Sequence, residues 1–139
     1  MITTVDVETS WQVTSTGGYD PSPFHPDNIL VSVGINDEYY FTNHSERIDK
    51  GCYHNIQSVL DKTTLLIGHN IKFDLMWLLE SGFKYSGRVY DTMLGEYILN
   101  RGIRKSLTLE MSCRRRRIGS KDSRIKEFTD RGIPFQNIP

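Results

Sequence analysis

Two acidic clusters set the chemistry this chain can attempt. Asp6 and Glu8 stand two residues apart in a stretch, Ile2 to Thr9, where Thr3, Thr4, Val5 and Val7 all favour extended backbone. Residues two apart on a strand share a face, so the two carboxylates project side by side from a chain that otherwise reads as buried. Like charges stripped of water in this way are costly unless a cation sits between them. A divalent ion fills that role, and Mg²⁺ takes one or two carboxylates and completes its shell with water and phosphate oxygens. An isolated Asp-x-Glu is more often a pair of solvated acids at a strand end, so the pair needs a third acid. Asn70-Ile-Lys-Phe-Asp74 offers one. Positions four apart share a helix face, and Leu75, Leu78 and Leu79 supply a separate apolar stripe to anchor that helix. Asp74 lies too deep to be an N-cap. Its structural alternative is a pairing with Lys72 or Lys84.

The elements that must position these acids alternate. Ile2 to Val7 is predicted as a first strand, Ile29 to Ile35 as a strand covered on both faces, and Glu38 to Thr42 as its hairpin return after the Asn36-Asp37 turn. A helix follows over Ile48 to Asp61, with Cys52, Ile56, Val59 and Leu60 at helical spacing. Thr64 to Ile67 is a short buried strand. Gly68-His69-Asn70 then turns the chain into a helix over Ile71 to Ser81, stopped by Gly82. Arg88 to Tyr90 is a strand, Asp91 caps a helix to about Asn100, and Thr108 caps another to Arg117. The tail from Ile133 to Pro139 reads as extended. Strands alternating with helices after a hairpin imply an α/β fold with a mixed central β-sheet flanked by helices. Sites in such folds form outside the carboxyl ends of parallel strands, where both acidic clusters fall.

Ser10 to Asn28 is rich in Gly, Pro, Ser and Thr and reads as a long loop. Trp11 within it is as well suited to stacking on a base as to pinning the loop, whereas Phe24 reads as a packing residue.

Bulk properties narrow the classes. The 139 residues suit one domain, and 37% hydrophobic with 24% charged content excludes a disordered chain. No apolar run reaches the length of a membrane span, and the N-terminus has no signal-peptide pattern. Cys52 and Cys113 form no metal-binding motif and read as free thiols in a reducing compartment. The net charge of zero hides an asymmetry. Residues 1–100 carry 13 acidic and 6 basic side chains, a balance of −7, and residues 101–139 carry 4 and 11, a balance of +7. An acidic body beside a basic segment suits a metal site next to a polyanion-binding surface, with Arg114 and Arg115 as candidate phosphate contacts. The plainer alternative is that Arg114 to Arg117 form the wet face of a helix.

Asp6-x-Glu8-Thr9 after a first strand, followed by Gly68-His69-Asn70-x-x-Phe73-Asp74, resembles the first two motifs of the DEDD 3′–5′ exonucleases. Tyr90-Asp91-Thr92-Met93-Leu94 with Tyr97-Ile98-Leu99, and then Ser106-Leu107-Thr108-Leu109-Glu110, is similar to the proofreading domain of family A (DNA polymerase I type) polymerases. The Ser22-Pro23-Phe24-His25-Pro26 loop and the Leu30-to-Gly34 strand resemble the phage branch. The resemblance implies a ribonuclease H-like fold and two-metal hydrolysis of the terminal phosphodiester with Mg²⁺ or Mn²⁺. It implies Asp6, Glu8 and Asp74 as metal ligands and catalytic acids. Thr9 and Asn70 would contact the terminal nucleotide, Phe73 would pack the helix on the sheet, and Asp91 would serve as a cap. The implied partner is single-stranded DNA or a frayed primer 3′ end, with a polymerase domain or a complementing chain beside it and no membrane. The implied place is the cytoplasm of a bacterium or phage-infected host.

The resembling family also uses a third motif, Tyr-x-x-x-Asp or His-x-x-x-x-Asp, after a Gly-Ile-Pro-like segment such as Gly132-Ile133-Pro134. Tyr85 and Tyr90 stand at the wrong distance from Asp91, and Asp122 and Asp130 have no Tyr or His at the right one. The expectation is therefore a single exonuclease-like domain over 1–139 that lacks its C-terminal helix, its third motif and a fourth carboxylate. Its second metal site would be weak and its activity alone impaired. The alternatives are an inactive module that binds a nucleic-acid 3′ end, or an RNA-processing DEDD exonuclease.

Overall fold

A computed structural model describes residues 1–119 and 124–138. Its centre is a five-stranded mixed sheet. The strands are β1 (Ile2–Thr9), β4 (Leu30–Ile35), β5 (Glu38–Phe41), β6 (Leu65–Gly68) and β7 (Arg88–Asp91), in the spatial order β5-β4-β1-β6-β7. β1 and β5 each pair antiparallel with β4, while β1, β6 and β7 run parallel. Every residue of β4 is buried, as its continuous apolar run predicts. β1 instead alternates, with Thr3, Val5, Val7 and Thr9 buried and Asp6 exposed. The expectation of a buried surrounding for Asp6 is thus corrected: one face of β1 joins the core and the other carries the acids. A register shift between Glu8 and Thr9 bends the end of this strand.

The helices are α1 (Cys52–Lys62), α2 (Ile71–Glu80), α3 (Thr92–Leu99), α4 (Leu109–Arg116) and α5 (Arg124–Asp130). α1 and α2 close the core, placing Ile56, Leu60, Trp77 and Leu78 against Val5, Val7, Val33 and Leu66. α1 begins four residues later than the spacing predicts. Gly51, at φ 74°, adopts a left-handed conformation that ends any helix approaching from Ile48. The long loop holds a small ribbon, β2 (Gln12–Val13) on β3 (Tyr19–Asp20). It is fastened to α2 by the Trp77 indole, which donates to the Pro21 carbonyl at 3.0 Å.

Beyond α4 the structure departs from the sequence pattern. α5 has no counterpart among the predicted elements, and the tail is a short 3-10 turn over Phe135–Asn137 rather than extended. Long-range bonds seat that turn. The Gln136 carbonyl accepts from both the Ser45 amide (2.9 Å) and its hydroxyl (2.7 Å), and His44 Nε2 donates to the Ile138 carbonyl (2.7 Å). Asp122 and Pro139 lie outside the described residues.

Candidate active site

The acids gather at the carboxyl ends of three neighbouring parallel strands: Asp6 and Glu8 on β1, Asp74 on the helix after β6, and Asp91 closing β7. A backbone mismatch explains Asp74. β6 pairs with β1 only as far as Thr4, opposite Ile67. The Thr4 amide and carbonyl both turn toward Asn36 on the β4 side, so the odd-numbered residues of β1 turn theirs toward β6. Val7 lies beyond the last paired residue, and its amide would be an orphan donor there. Asp74 Oδ1 accepts it at 2.9 Å. The third acid is therefore locked to the backbone between the first two. It forms no ion pair with Lys72 or Lys84, which removes the structural alternative.

That position is electrically costly. Asp74 is only 4% exposed. Burial pushes its carboxyl up to about 6; the Asp6 and Asp91 charges add to the rise, and the Val7 amide opposes it. Carboxylic oxygens around a buried acid of this kind are the donor chemistry that a hard divalent cation takes. Among the described residues, however, no three His, Cys, Asp or Glu side chains are drawn closely enough together to hold a metal ion. The three acids share an edge without closing on a common point.

The turn before α2 is built with care. A side chain at Gly68 would meet Ile71 Cγ1 at 2.9 Å, so only glycine lets the strand pass this close to the helix. Asn70 does not share a helix face with Asp74, as its spacing suggests it should. It precedes α2 in a left-handed conformation, φ 61°, that Asn tolerates better than most residues, and its side chain is exposed. Its amide donates to Asp91 Oδ1 at 3.0 Å. The same oxygen accepts the Met93 amide at 2.8 Å and the Leu94 amide at 3.4 Å, so Asp91 caps α3 as read from the sequence. His69 ties the turn outward: Nε2 donates to the Leu107 carbonyl at 2.7 Å, and Nδ1 lies 2.9 Å from Thr92 Oγ1.

The remaining candidates divide. Thr9 is buried. Trp11 is half-buried and packs edge-on against Tyr19, ring centroids 4.4 Å apart, which uses it to hold the loop ribbon. Phe24 is 66% exposed, contrary to the packing role expected of it, because Trp77 rather than Phe24 fastens the loop. Phe73 packs against the core as expected. Arg114 pairs with Glu110 at 2.9 Å on the open face of α4. Arg115 turns inward, reaching Glu96 at 3.1 Å and the Ser106 carbonyl at 2.7 Å.

One feature is missed from the sequence. Glu8 opens onto a cavity of about 210 Å³ walled by Tyr39, Phe41, His44, Phe135 and Ile138. Period-two alternation across the β4–β5 hairpin would have placed Tyr39 and Phe41 on the acid face, in rows with Gly34 and Ser32. The contribution of the tail is not readable locally.

The family model of the DNA polymerase A-type 3′–5′ exonuclease matches residues 16–110. The chain belongs to this family. The match contains Asn70, Asp74 and Asp91 but begins after Asp6 and Glu8 and ends at Glu110. No curated protein matches the chain. Domains of this exonuclease family are generally dependent on divalent metal, and a 3′–5′ exonuclease domain implies a nucleic-acid substrate. The five-stranded mixed sheet with flanking helices is consistent with the ribonuclease H-like fold expected of such a domain. Among the described residues no helix is long and apolar enough to cross a membrane.

Proposed function

We propose that this exonuclease domain works on DNA 3′ ends in proofreading, with Asp6, Glu8 and Asp74 as ligands to Mg²⁺ or Mn²⁺. The observation that carries this reading is the Asp74–Val7 bond. It is an unusual expense for a fold to bury an acid against a strand that already carries two others. A carboxyl raised first by burial and then by its acidic neighbours gains from a divalent cation what no side chain among the described residues supplies. Bound cations would polarise the scissile phosphate and lower the pKa of attacking water. The chain's own residues do the positioning: Asp74 is fixed by the Val7 amide, and Asn70 is held at the mouth of the turn by Asp91. The aromatic cavity beside Glu8 offers a terminal base an apolar surface to stack on.

We read the chain, over 1–139, as one exonuclease-like domain that is weak by itself, because three acids support one tight metal site better than two. A polymerase domain or a complementing chain is the proposed partner, and the cytoplasm of a bacterium or phage-infected host the proposed place. Calorimetric titration of the purified chain with Mn²⁺ is expected to show a single site that Asp6→Asn or Glu8→Gln abolishes. A 5′-labelled single-stranded DNA is expected to shorten slowly from its 3′ end, and faster than RNA of the same sequence at the same stated salt. Absence of divalent binding at these acids would favour a module that holds a 3′ end without cutting it. That second reading has one observation behind it, the lack of a closed three-acid cluster among the described residues. Faster loss of RNA would favour the RNA-processing branch, and rapid degradation of DNA by the isolated chain would refute the weakness assigned to it.

A further inference from the structure

The hairpin strand β5 ends beside a cation that is held in place and left open. Phe41, its last residue, lies at the edge of the sheet, where no further strand pairs with its outer side. Asp49 closes that edge. Its amide donates to the Phe41 carbonyl at 2.9 Å, and its Oδ2 accepts the Phe41 amide at 3.0 Å. Its Oδ1 accepts from Arg47 Nε at 2.9 Å. The guanidinium lies over the Phe41 ring, with Cζ 4.7 Å from the centroid, and His44 meets the same ring edge-on. A guanidinium carries five N–H donors in a planar fork. Asp49 uses the one on Nε; among the described residues nothing accepts from Nη1 or Nη2, and the side chain is 61% exposed.

Stability does not call for this arrangement, because Asp49 closes the strand edge by itself and an exposed ion pair adds little. What the stacking and the Nε bond achieve is a fork already oriented for a ligand. Register gives its place. Glu8 is opposite Ser32 and Ser32 opposite Phe41, so Phe41 stands two strand spacings, about 10 Å, from Glu8. Glu8 and Phe41 both line the aromatic cavity offered to a terminal base. A fork over one wall of that cavity matches the two halves of a nucleotide, a ring to stack and a phosphate to hold. A carboxylate ligand would suit the fork but bring no ring for the cavity. We propose that Arg47 binds a backbone phosphate of the 3′ end through its Nη atoms. The proposal rests on the exonuclease reading of the acid edge.

The test uses the full chain and a labelled single-stranded DNA in EDTA, where the strand stays intact. Fluorescence anisotropy is expected to show Arg47→Gln binding about tenfold more weakly, with the slope of log affinity against log salt reduced by about 1. Arg47→Lys keeps the charge and the slope but not the fork, and is expected to lose about threefold or more. Methylphosphonates placed one at a time remove single phosphate charges. One position near the 3′ end is expected to cost the parent about tenfold, Arg47→Lys about threefold and Arg47→Gln less than about twofold. Equal costs in parent and variants at every position would overturn the contact alone. That coupling in a parent that takes up no Mn²⁺ would refute the exonuclease reading and uphold the contact. A parent that binds no single strand would overturn both.

Discussion

Two buried carboxylates, Asp74 and Glu96, receive opposite treatment. Glu96 meets Arg116 at 2.7 Å and Arg115 at 3.1 Å, and these bonds hold its carboxyl below the ordinary carboxylate range. Asp74 meets one amide and the charges of two other acids, and its carboxyl rises to about 6. Both cost desolvation; only one has its charge answered within the described chain. A fold that can build the Glu96 clamp can neutralise a buried acid when structure alone is at stake. Leaving Asp74 among acids is what the proposed ligand role calls for, and stability alone does not.

The largest expected effect breaks that distinction at its functional end. Asp74→Asn keeps an oxygen for the Val7 amide but removes the charge. It is expected to cut 3′-end degradation on the order of 100-fold or more, as loss of a preorganised charged group at the reacting centre does. Circular dichroism of the variant is expected to match the parent. A variant retaining activity would place the metal ligands elsewhere.

The same substitution sharpens the comparison through stability. In EDTA, below about pH 3.8, Asp74 is protonated in folded and unfolded chains alike. Between 3.8 and about 6 the folded chain holds the proton longer, so stability falls as pH rises, and the fall is complete above that range. A rise of the carboxyl from 3.8 to about 6 corresponds to on the order of 2–3 kcal/mol. Urea unfolding should therefore show Asp74→Asn gaining about that much over the parent at pH 7 and little at pH 4. Saturating Mn²⁺ is expected to reverse the order.

Glu96 gives the opposite slope. Its clamp contributes fully above the ordinary value of 4.5 and is lost as pH falls through the lower folded value. Glu96→Gln is expected to lower Tm by several degrees at pH 7 while leaving Mn²⁺ affinity within about twofold of the parent. A loss of metal affinity comparable to that of Asp74→Asn would mean that the two acids do not differ in role.

The contrast also marks what could be read in advance. The acid pair, the Gly68-to-Asp74 turn and the cap at Asp91 are legible because each is local: alternation, a glycine at a close approach, a carboxylate before a helix. The alternation of strands and helices follows from buried runs set between stretches of helical spacing. Less visible are features made by distant partners. Nothing in Ile133-Pro-Phe-Gln indicates that Ser45 and His44 wait to seat it, and nothing near Trp11 reveals that Trp77 holds the loop. The Asn70 spacing misleads because i, i+4 counting assumes both residues are helical, whereas Asn70 stands just outside. The arginine run misleads in part for a related reason. Four consecutive cations look equivalent as text, but on α4 successive residues point about 100° apart, and two of the four turn toward Glu96.

Within that run lies the smallest expected effect. The sequence pairs Arg114 and Arg115 as phosphate contacts, yet only Arg114 stays on the open face, in an i, i+4 pair with Glu110. Such exposed pairs contribute about 0.3–0.5 kcal/mol, so Arg114→Ala should leave Tm nearly unchanged. If it touches the DNA backbone, the variant lowers affinity for single strands evenly across sequences and reduces the slope of log affinity against log salt by about 1. Arg115→Ala is expected to behave in the reverse manner. It removes a bond to the buried Glu96 and one to the exposed Ser106 carbonyl, so Tm falls, chiefly through Glu96, while the salt slope holds. Equal salt slopes for both variants and the parent would move the phosphate track off α4, toward Arg101, Arg104 and Lys105.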